Sequence, residues 1–533
     1  GFRGRPASLP SGMNRPWSRR DLLRAAGFAA LGPAFLRPSA SSTTEEPSAS
    51  FLGEAVLRGH RTRGVDPTKL PVDREFDVDV VIVGAGFAGL VAATTLDRAG
   101  VGSLYAAELD DVVGGHAQRR TLGGVPVQFG PQAFDATTGE SDQPAAYAEF
   151  LAGPSAAAPP RELRLRRQVG GDWTFEDPGD VGARLTAAAT AALGGEDAAA
   201  SYAGRRAGAL ALDARSGEDF LLGSPLDEPA RDRLRLYARA RFGLRAEFVS
   251  AGVLLADYVR RGKACGGRRV LPPESPGGVA ERLAASLGDR LQKNRVVLKV
   301  VAKERGVLAY VVDPLTNYVD LVRARAAVVA VPPFTAREVC PDLATDGRFE
   351  DLPESTVWLA SAFGLRAAPD FAAPPADLYA PHLGSSTALQ RIFSADSPPA
   401  AADPLRPPYA LLDLRPFPGA AAMPARIMLS RAMPWELRDF VFRELRSLRP
   451  GLRDLTTRVD FLRVGHGPIR PVPGRLSDAA DRLGRASPPF FPAGADWTGA
   501  PSLESAITSG ASAGVAAAAF VRGLASRPES RGR

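Results

Sequence analysis

Residues 76–100 read FDVDVVIVGAGFAGLVAATTLDRAG, and this stretch decides the fold. Val78 to Val83 is an apolar, mostly β-branched run, the pattern of a parallel strand buried on both faces. Gly84-x-Gly86-x-x-Gly89 follows without a break, and an alanine-rich helix starts there, with Phe87 and Ala88 inside the turn. Each glycine has its own reason. Gly84 permits the tight turn, Gly86 lets the backbone approach a pyrophosphate, and Gly89 lets helix and strand pack closely. The first turn of the helix offers N–H groups and the positive end of its dipole to a phosphate.

The next strand, VGSLYAAE, ends in an acid. Glu108 lies about 20 residues beyond the turn, as a dinucleotide fingerprint requires, and its carboxylate would accept hydrogen bonds from the adenosine ribose hydroxyls. NAD and FAD are equally served up to this point. The stretch LYAAELDDVVGGHAQRR, residues 104–120, separates them. Gly114-Gly115 is a second place where backbone can approach a ligand closely. A nicotinamide dehydrogenase leaves that second element unexplained.

Glu108 followed by Gly114-Gly115 resembles the E-x5-G-G-R continuation of the flavin-containing amine oxidase superfamily. His116 stands where an arginine usually follows the glycine pair. Arginine brings permanent charge and a forked donor to phosphate, whereas histidine is a weaker donor whose charge depends on its surroundings. Three further stretches carry the resemblance. SPGGVAERLAASLGDRLQKNRVVLKV, residues 275–300, is similar to the family's glycine turn, helix and strand pair. ARAAVVAVPP, residues 324–333, resembles the strand returning to the dinucleotide domain. FFPAGADWTGAPSLESAITSGASAGVAAAAF, residues 490–520, resembles the C-terminal flavin motif.

The resemblance implies FAD as cofactor and a set of residues to hold it. Val297 falls where a family valine meets adenine through its backbone. Gly494 opens the C-terminal motif. Asp496 would bond ribityl or phosphate-side hydroxyls. Backbone N–H groups around Thr498 to Leu503, Ser502 and Leu503 among them, would face flavin N1 and O2. A helix N-terminus there would stabilise negative charge on the reduced ring. In VPVQFGPQAF, residues 125–134, Gly130 and Pro131 would pass close to the isoalloxazine. The motif holds no cysteine, so attachment is expected to be non-covalent. His466, in the Gly/Pro loop RVGHGPIRPVPG, is the flavin-side catalytic candidate. One departure is plain. Many family members keep a lysine that holds a water at flavin N5, but no lysine follows Lys303, and STVWLASAFGLR, where it would fall, has none.

These readings predict an α/β protein. A Rossmann-like FAD-binding domain is discontinuous, over about 75–150, 265–335 and 455–525. An inserted α+β substrate domain comes from 151–264 and 336–454. The first insertion reads as helical, as in LDEPARDRLRLYARARFG. The second is mixed and Pro-rich, with an amphipathic helix at PWELRDFVFRELRSL. A chain of 533 residues is too long for one core, which agrees with two domains.

The formal charge of +7 suggests a nucleic-acid partner until the charges are located. Residues 1–37 carry seven arginines against Asp21, so the body is nearly neutral, and no basic stripe with aromatics follows. Nucleic acid is not expected. Two cysteines, Cys265 and Cys340, could pair but make no framework, and with four histidines no metal site is expected. MNRPWSRRDLLRAAGFAALGPAFL, residues 13–36, resembles a twin-arginine export signal, with the export machinery as partner and a periplasmic or other extracytoplasmic destination. Its apolar run is short of the roughly 20 residues a bilayer span needs, and so is that of AGVAAAAFV near the C-terminus, so no transmembrane anchor is expected. Residues 1–50 are taken as signal and linker, the part from Pro38 to Ser50 being flexible.

Three functions stay open. The first oxidises an amine or amino-acid-like small-molecule substrate by hydride transfer to flavin N5. The second keeps FAD but desaturates or isomerises C–C bonds of an apolar substrate. The third is a degenerate flavin-binding partner protein.

Overall fold

The computed structural model describes residues 46–53, 58–60, 64–122, 125–131, 164–169, 172–175, 179–196, 202–265, 275–345, 347–366, 376–379, 388–390, 409–416, 422–446, 451–479, 481 and 484–525. The export-like segment lies outside them. Seventeen strands are described: β1 Ser48–Phe51, β2 Val72–Val83, β3 Leu104–Ala107, β4 Arg119–Leu122, β5 Val125–Gln128, β6 Arg164–Val169, β7 Asp172–Phe175, β8 Leu291–Gln292, β9 Val296–Lys303, β10 Gly306–Val312, β11 Val319–Val329, β12 Trp358–Leu365, β13 Ala376–Tyr379, β14 Ala388–Gln390, β15 Tyr409–Pro416, β16 Thr456–Val464 and β17 Phe490–Pro492. They form a seven-stranded sheet, an eight-stranded sheet and the β4–β5 hairpin.

The seven-stranded sheet runs β8-β3-β2-β11-β10-β9, with β17 also on β11. Parallel pairing joins β8, β3, β2, β11 and β17, while β11, β10 and β9 form an antiparallel meander. The apolar run of the opening stretch is β2, fully buried from Val80 to Val83. Strand side chains alternate between faces, and both faces are covered. Val80, Ile82, Leu104, Ala106 and Val328 share a core with the helices Phe87–Arg98, Ser275–Ala285 and Leu503–Ala525. Val81, Val83, Ala107, Ala327 and Val329 share another with the meander and with Cys340. Cys340 is a free thiol there, its pKa pushed up to about 12 by burial.

The eight-stranded sheet runs β1-β16-β12-β15-β14-β13-β6-β7. Two boundaries differ from the sequence reading. The chain returns to the nucleotide domain later than residue 455, because β16 pairs antiparallel with β12 and its Val459 and Phe461 pack beside Phe363 in the second core. The end of the expected linker is ordered as β1, added parallel to the edge of β16, where the Ser50 hydroxyl bonds Asp460. β6 and β7 also join this sheet, whereas the other described residues of the first insertion are mainly helical, with their own core around Leu185, Leu234 and Leu254. The architecture is therefore mixed α/β: a Rossmann-like domain built from separated segments, joined to an α+β part.

The C-terminal helix spans 23 residues, longer than its short apolar core suggested, and by length and composition alone it could cross a membrane. Its Ile507, Ala513, Ala517, Ala518 and Val521 instead pack in the nucleotide-domain core. It crosses the helix Phe87–Arg98 at backbone contact: a Cβ on Gly510 would lie 2.3 Å from the Ala88 carbonyl oxygen. Gly510→Ala is therefore expected to cost about 3 kcal/mol by overpacking. Gly523→Ala, on the same helix with nothing within 4 Å of an added Cβ, should gain up to about 1 kcal/mol from helix propensity. Urea midpoints of the two variants check this, and a neutral Gly510→Ala would contradict the packing.

Candidate functional site

The first turn excludes a side chain at Gly84 and at Gly89. Gly84 sits at φ +96° and donates its N–H to the Ala107 carbonyl at 2.9 Å. A Cβ on Gly89 would come within 2.0 Å of the Gly84 carbonyl oxygen. Gly86 starts the helix and forms a parallel bridge with Gly114. The Gly114 N–H donates to the Ala85 carbonyl at 2.9 Å, and a Cβ on Gly115, at φ +57°, would lie 3.2 Å from Gly86 Cα. The Gly-Gly pair is thus the second wall of one backbone cradle. Positive φ suits glycine alone at little cost. Phe87 and Ala88 are buried at the helix start and shape the turn from behind. Gly130 closes on the same loop, where a Cβ would meet the His116 carbonyl oxygen at 1.8 Å, and Pro131 follows it.

Glu108 closes the near end. Its carboxylate accepts from the Ala85 N–H at 2.7 Å and from the Asp110 N–H at 2.9 Å. Each oxygen keeps a lone pair, so ribose hydroxyls can still be received. Burial pushes its pKa up to about 7, with the Asp110 and Ala85 N–H groups pulling the other way. The backbone beside Glu108 is that of Gln292 and Arg295, which exchange hydrogen bonds with it at 2.9 and 2.8 Å. Val297 lies on β9, its side chain against the core beneath the sheet, and it makes none of these bonds.

At the far end, Gly494 takes φ +139° and gives its N–H to the Ser509 hydroxyl at 3.0 Å. Asp496 is buried and accepts the Ile469 N–H at 2.9 Å. Burial raises its pKa, against that N–H and the charges of His116 and Arg475. The His116 Nε2 lies 3.1 Å from the His466 carbonyl oxygen, which can only accept, so Nε2 carries the proton. His116 therefore reaches from the glycine cradle to the loop Gly465–Arg470 rather than standing only at the phosphates. The His466 ring lies against Phe334, centroids 4.7 Å apart, and its Nδ1 is 3.4 Å from the Ser355 hydroxyl. Ser502 caps the long helix: its hydroxyl accepts the Ser505 N–H, and its own N–H goes to the Ala500 carbonyl. That N–H is consequently turned away from a ligand, and Leu503 begins the helix. Trp497 is buried and donates to the Val331 carbonyl at 2.8 Å, which makes it core rather than cavity wall.

The comparisons agree with this fold. Residues 82–151 match the NAD(P)-binding Rossmann-like domain. The chain superposes on putrescine oxidase bound to putrescine with a TM-score of 0.57 at 17% identity, over 84% of this chain and 100% of that one. Cyclohexylamine oxidase from Brevibacterium oxydans IH-35A gives 0.59 at 17%, over 84% and 100%. A fatty acid isomerase from P. acnes gives 0.56 at 14%, over 82% and 97%. No curated protein matches the chain.

Sequence reasoning missed what joins these pieces. Gln128, nearly buried, donates to the Ala117 carbonyl at 2.8 Å and accepts the Gly277 N–H at 2.7 Å, tying three separated segments. Ser355, in the segment before β12, and Arg426, on the helix Met423–Arg431, approach the His466 loop. No local pattern announces contacts between residues so far apart in the chain. Among the described residues no metal-binding cluster occurs.

The Glu108 carboxyl gives a pH prediction. In the empty site it is largely neutral below about pH 7. Ribose hydroxyls donate to the ionised form, so dinucleotide binding expels a proton. Affinity should rise by up to about tenfold per pH unit toward pH 7 and level off above it. The same raised pKa makes the ligand-free fold lose stability as pH climbs from the unfolded value of a glutamate through 7. Titration calorimetry at several pH values checks this. A flat affinity, or a slope that survives Glu108→Gln, would contradict it.

Proposed function

We propose that this chain is an FAD-dependent oxidoreductase that holds its cofactor without a covalent bond. The observation that carries the reading is the single cradle made by two glycine elements, continued through His116 and the Gly465–Arg470 loop to Asp496. A nicotinamide dinucleotide needs the first turn and Glu108. A ligand received also at Asp496, nearly 400 residues onward in sequence, needs recognition at both ends, and FAD supplies it. The fit rests on the close backbone approach of Gly86 to Gly114-Gly115, where a Cβ on Gly115 would lie 3.2 Å from Gly86 Cα.

When bound, FAD supplies the acceptor for a hydride leaving a substrate carbon. The protein's part is to orient and to shield. Gly84, Gly86, Gly114 and Gly115 would hold the pyrophosphate by backbone approach, and Glu108 the ribose. Asp496 and the start of the helix Leu503–Ala525 would face the far end. His466 is the side chain best placed to meet the substrate, backed by Phe334. The substrate is taken to be an amine or an amino-acid-like molecule, which the likeness to putrescine and cyclohexylamine oxidases supports. One observation favours a second reading, C–C desaturation or isomerisation. β12 and the residues around it carry no lysine, and the P. acnes fatty acid isomerase shares the fold.

Anaerobic mixing tests the choice. Under the first reading an amine or amino acid bleaches the flavin's visible absorbance, and oxygen restores it with peroxide formed. Bleaching by none of them, with turnover of an unsaturated lipid acid, would overturn that reading in favour of the second. We also propose export in the folded state, supported by Ser18-Arg19-Arg20-Asp21-Leu22-Leu23. Replacing both arginines by lysine should leave the protein in the cytoplasm on cell fractionation, and unchanged export would contradict it.

A further inference from the structure

Arg426 projects from the helix Met423–Arg431 to the loop that carries His466. Its Nε donates to the Gly465 carbonyl at 2.7 Å. Its Nη2 donates to the Ser355 carbonyl at 3.1 Å and to the Ser355 hydroxyl at 2.7 Å. The same hydroxyl lies 3.4 Å from His466 Nδ1, so the guanidinium stands one hydroxyl away from the imidazole. It is half-buried, yet every partner it holds is neutral. Among the described residues no carboxylate lies within ion-pair distance of it.

The charges around it are unbalanced. The acid whose charge acts on it is Glu354, whose carboxylate already receives the Ala422 N–H at 2.8 Å and lies 3.3 Å from Arg470. Two guanidinium groups thus share one carboxylate. Burial lowers the pKa of both arginines, and Glu354 offsets it only in part. Asp496, across the loop, is engaged by the Ile469 N–H and sits beside His116 and Arg475. A partly desolvated cation without a counter-ion is costly, and a planar anion is the group that relieves it.

We propose that Arg426 is a specificity residue that receives the carboxylate of the substrate, so that this site takes a carboxylate-bearing molecule and disfavours a diamine. The inference rests on the flavin reading of the site. It selects amino acids and unsaturated lipid acids over simple amines. A second ammonium group in a diamine would meet the positive charge of Arg426. A carboxylate would use the guanidinium's remaining donor edge while Nε and Nη2 keep the loop in place.

The test uses the flavin-loaded protein and two probes of equal shape, benzoate and benzamide, each titrated while the flavin spectrum is followed. Benzoate should bind at least about tenfold more tightly than benzamide, and added salt should narrow the gap. Arg426→Gln should bring the ratio near one by weakening benzoate at least about tenfold more than benzamide, whereas a merely structural role would weaken both probes alike. Arg426→Lys should keep part of the preference, and it serves if the glutamine variant does not fold. Equal binding of the two probes by the wild-type protein, or a preference intact in Arg426→Gln, would overturn the assignment. A protein that takes up no flavin would instead overturn the functional reading, and that is seen before any probe is added.

Discussion

The structure depends on one backbone contact, the approach of Gly114-Gly115 to Ala85-Gly86. It is a hydrogen bond of 2.9 Å and a bridge between two turns, with a Cβ on Gly115 only 3.2 Å from Gly86 Cα. Everything around the site is arranged to hold that contact. Gly89 lets the helix Phe87–Arg98 sit on the strand end, and Gly510 lets the C-terminal helix sit on that helix. Gln128 pins the other side of the Gly-Gly loop to the start of the helix Ser275–Ala285. Because the walls are backbone, tied by their own hydrogen bonds, the cradle has little side-chain entropy to lose on binding.

Much of the nucleotide domain was legible in the sequence because its constraints are local. A buried strand, a glycine turn and a helix start are each written in a few adjacent residues, as 76–100 shows, and Glu108 follows at fixed spacing. The C-terminal motif was legible for the same reason. The far end of the site was less so. His116 marked a departure at one position, but that its Nε2 reaches the His466 carbonyl depends on a pairing across 350 residues. Ser502 illustrates the limit from the other direction. It sits in a recognisable segment, yet it spends its hydrogen bonds on capping a helix. The boundary near 455 failed because an alternating strand reads alike in either sheet, and only pairing with β12 assigns it.

The electrostatics divide the site into two halves. At the near end an acid is buried with backbone donors, and its charge awaits hydroxyl groups. At the far end Asp496 is held by a single backbone donor beside His116, and arginines gather behind the His466 loop. The segment before β12 contributes Ser355 and the helix Met423–Arg431 contributes Arg426, both held against the His466 loop.

The most direct measurement is the visible absorption spectrum of the purified chain before and after denaturation and filtration. The account predicts a flavin spectrum on the folded protein, with the chromophore passing entirely into the filtrate as FAD once the chain unfolds. A colourless protein that cannot be reconstituted with FAD, or a flavin that stays with the unfolded chain, would contradict it.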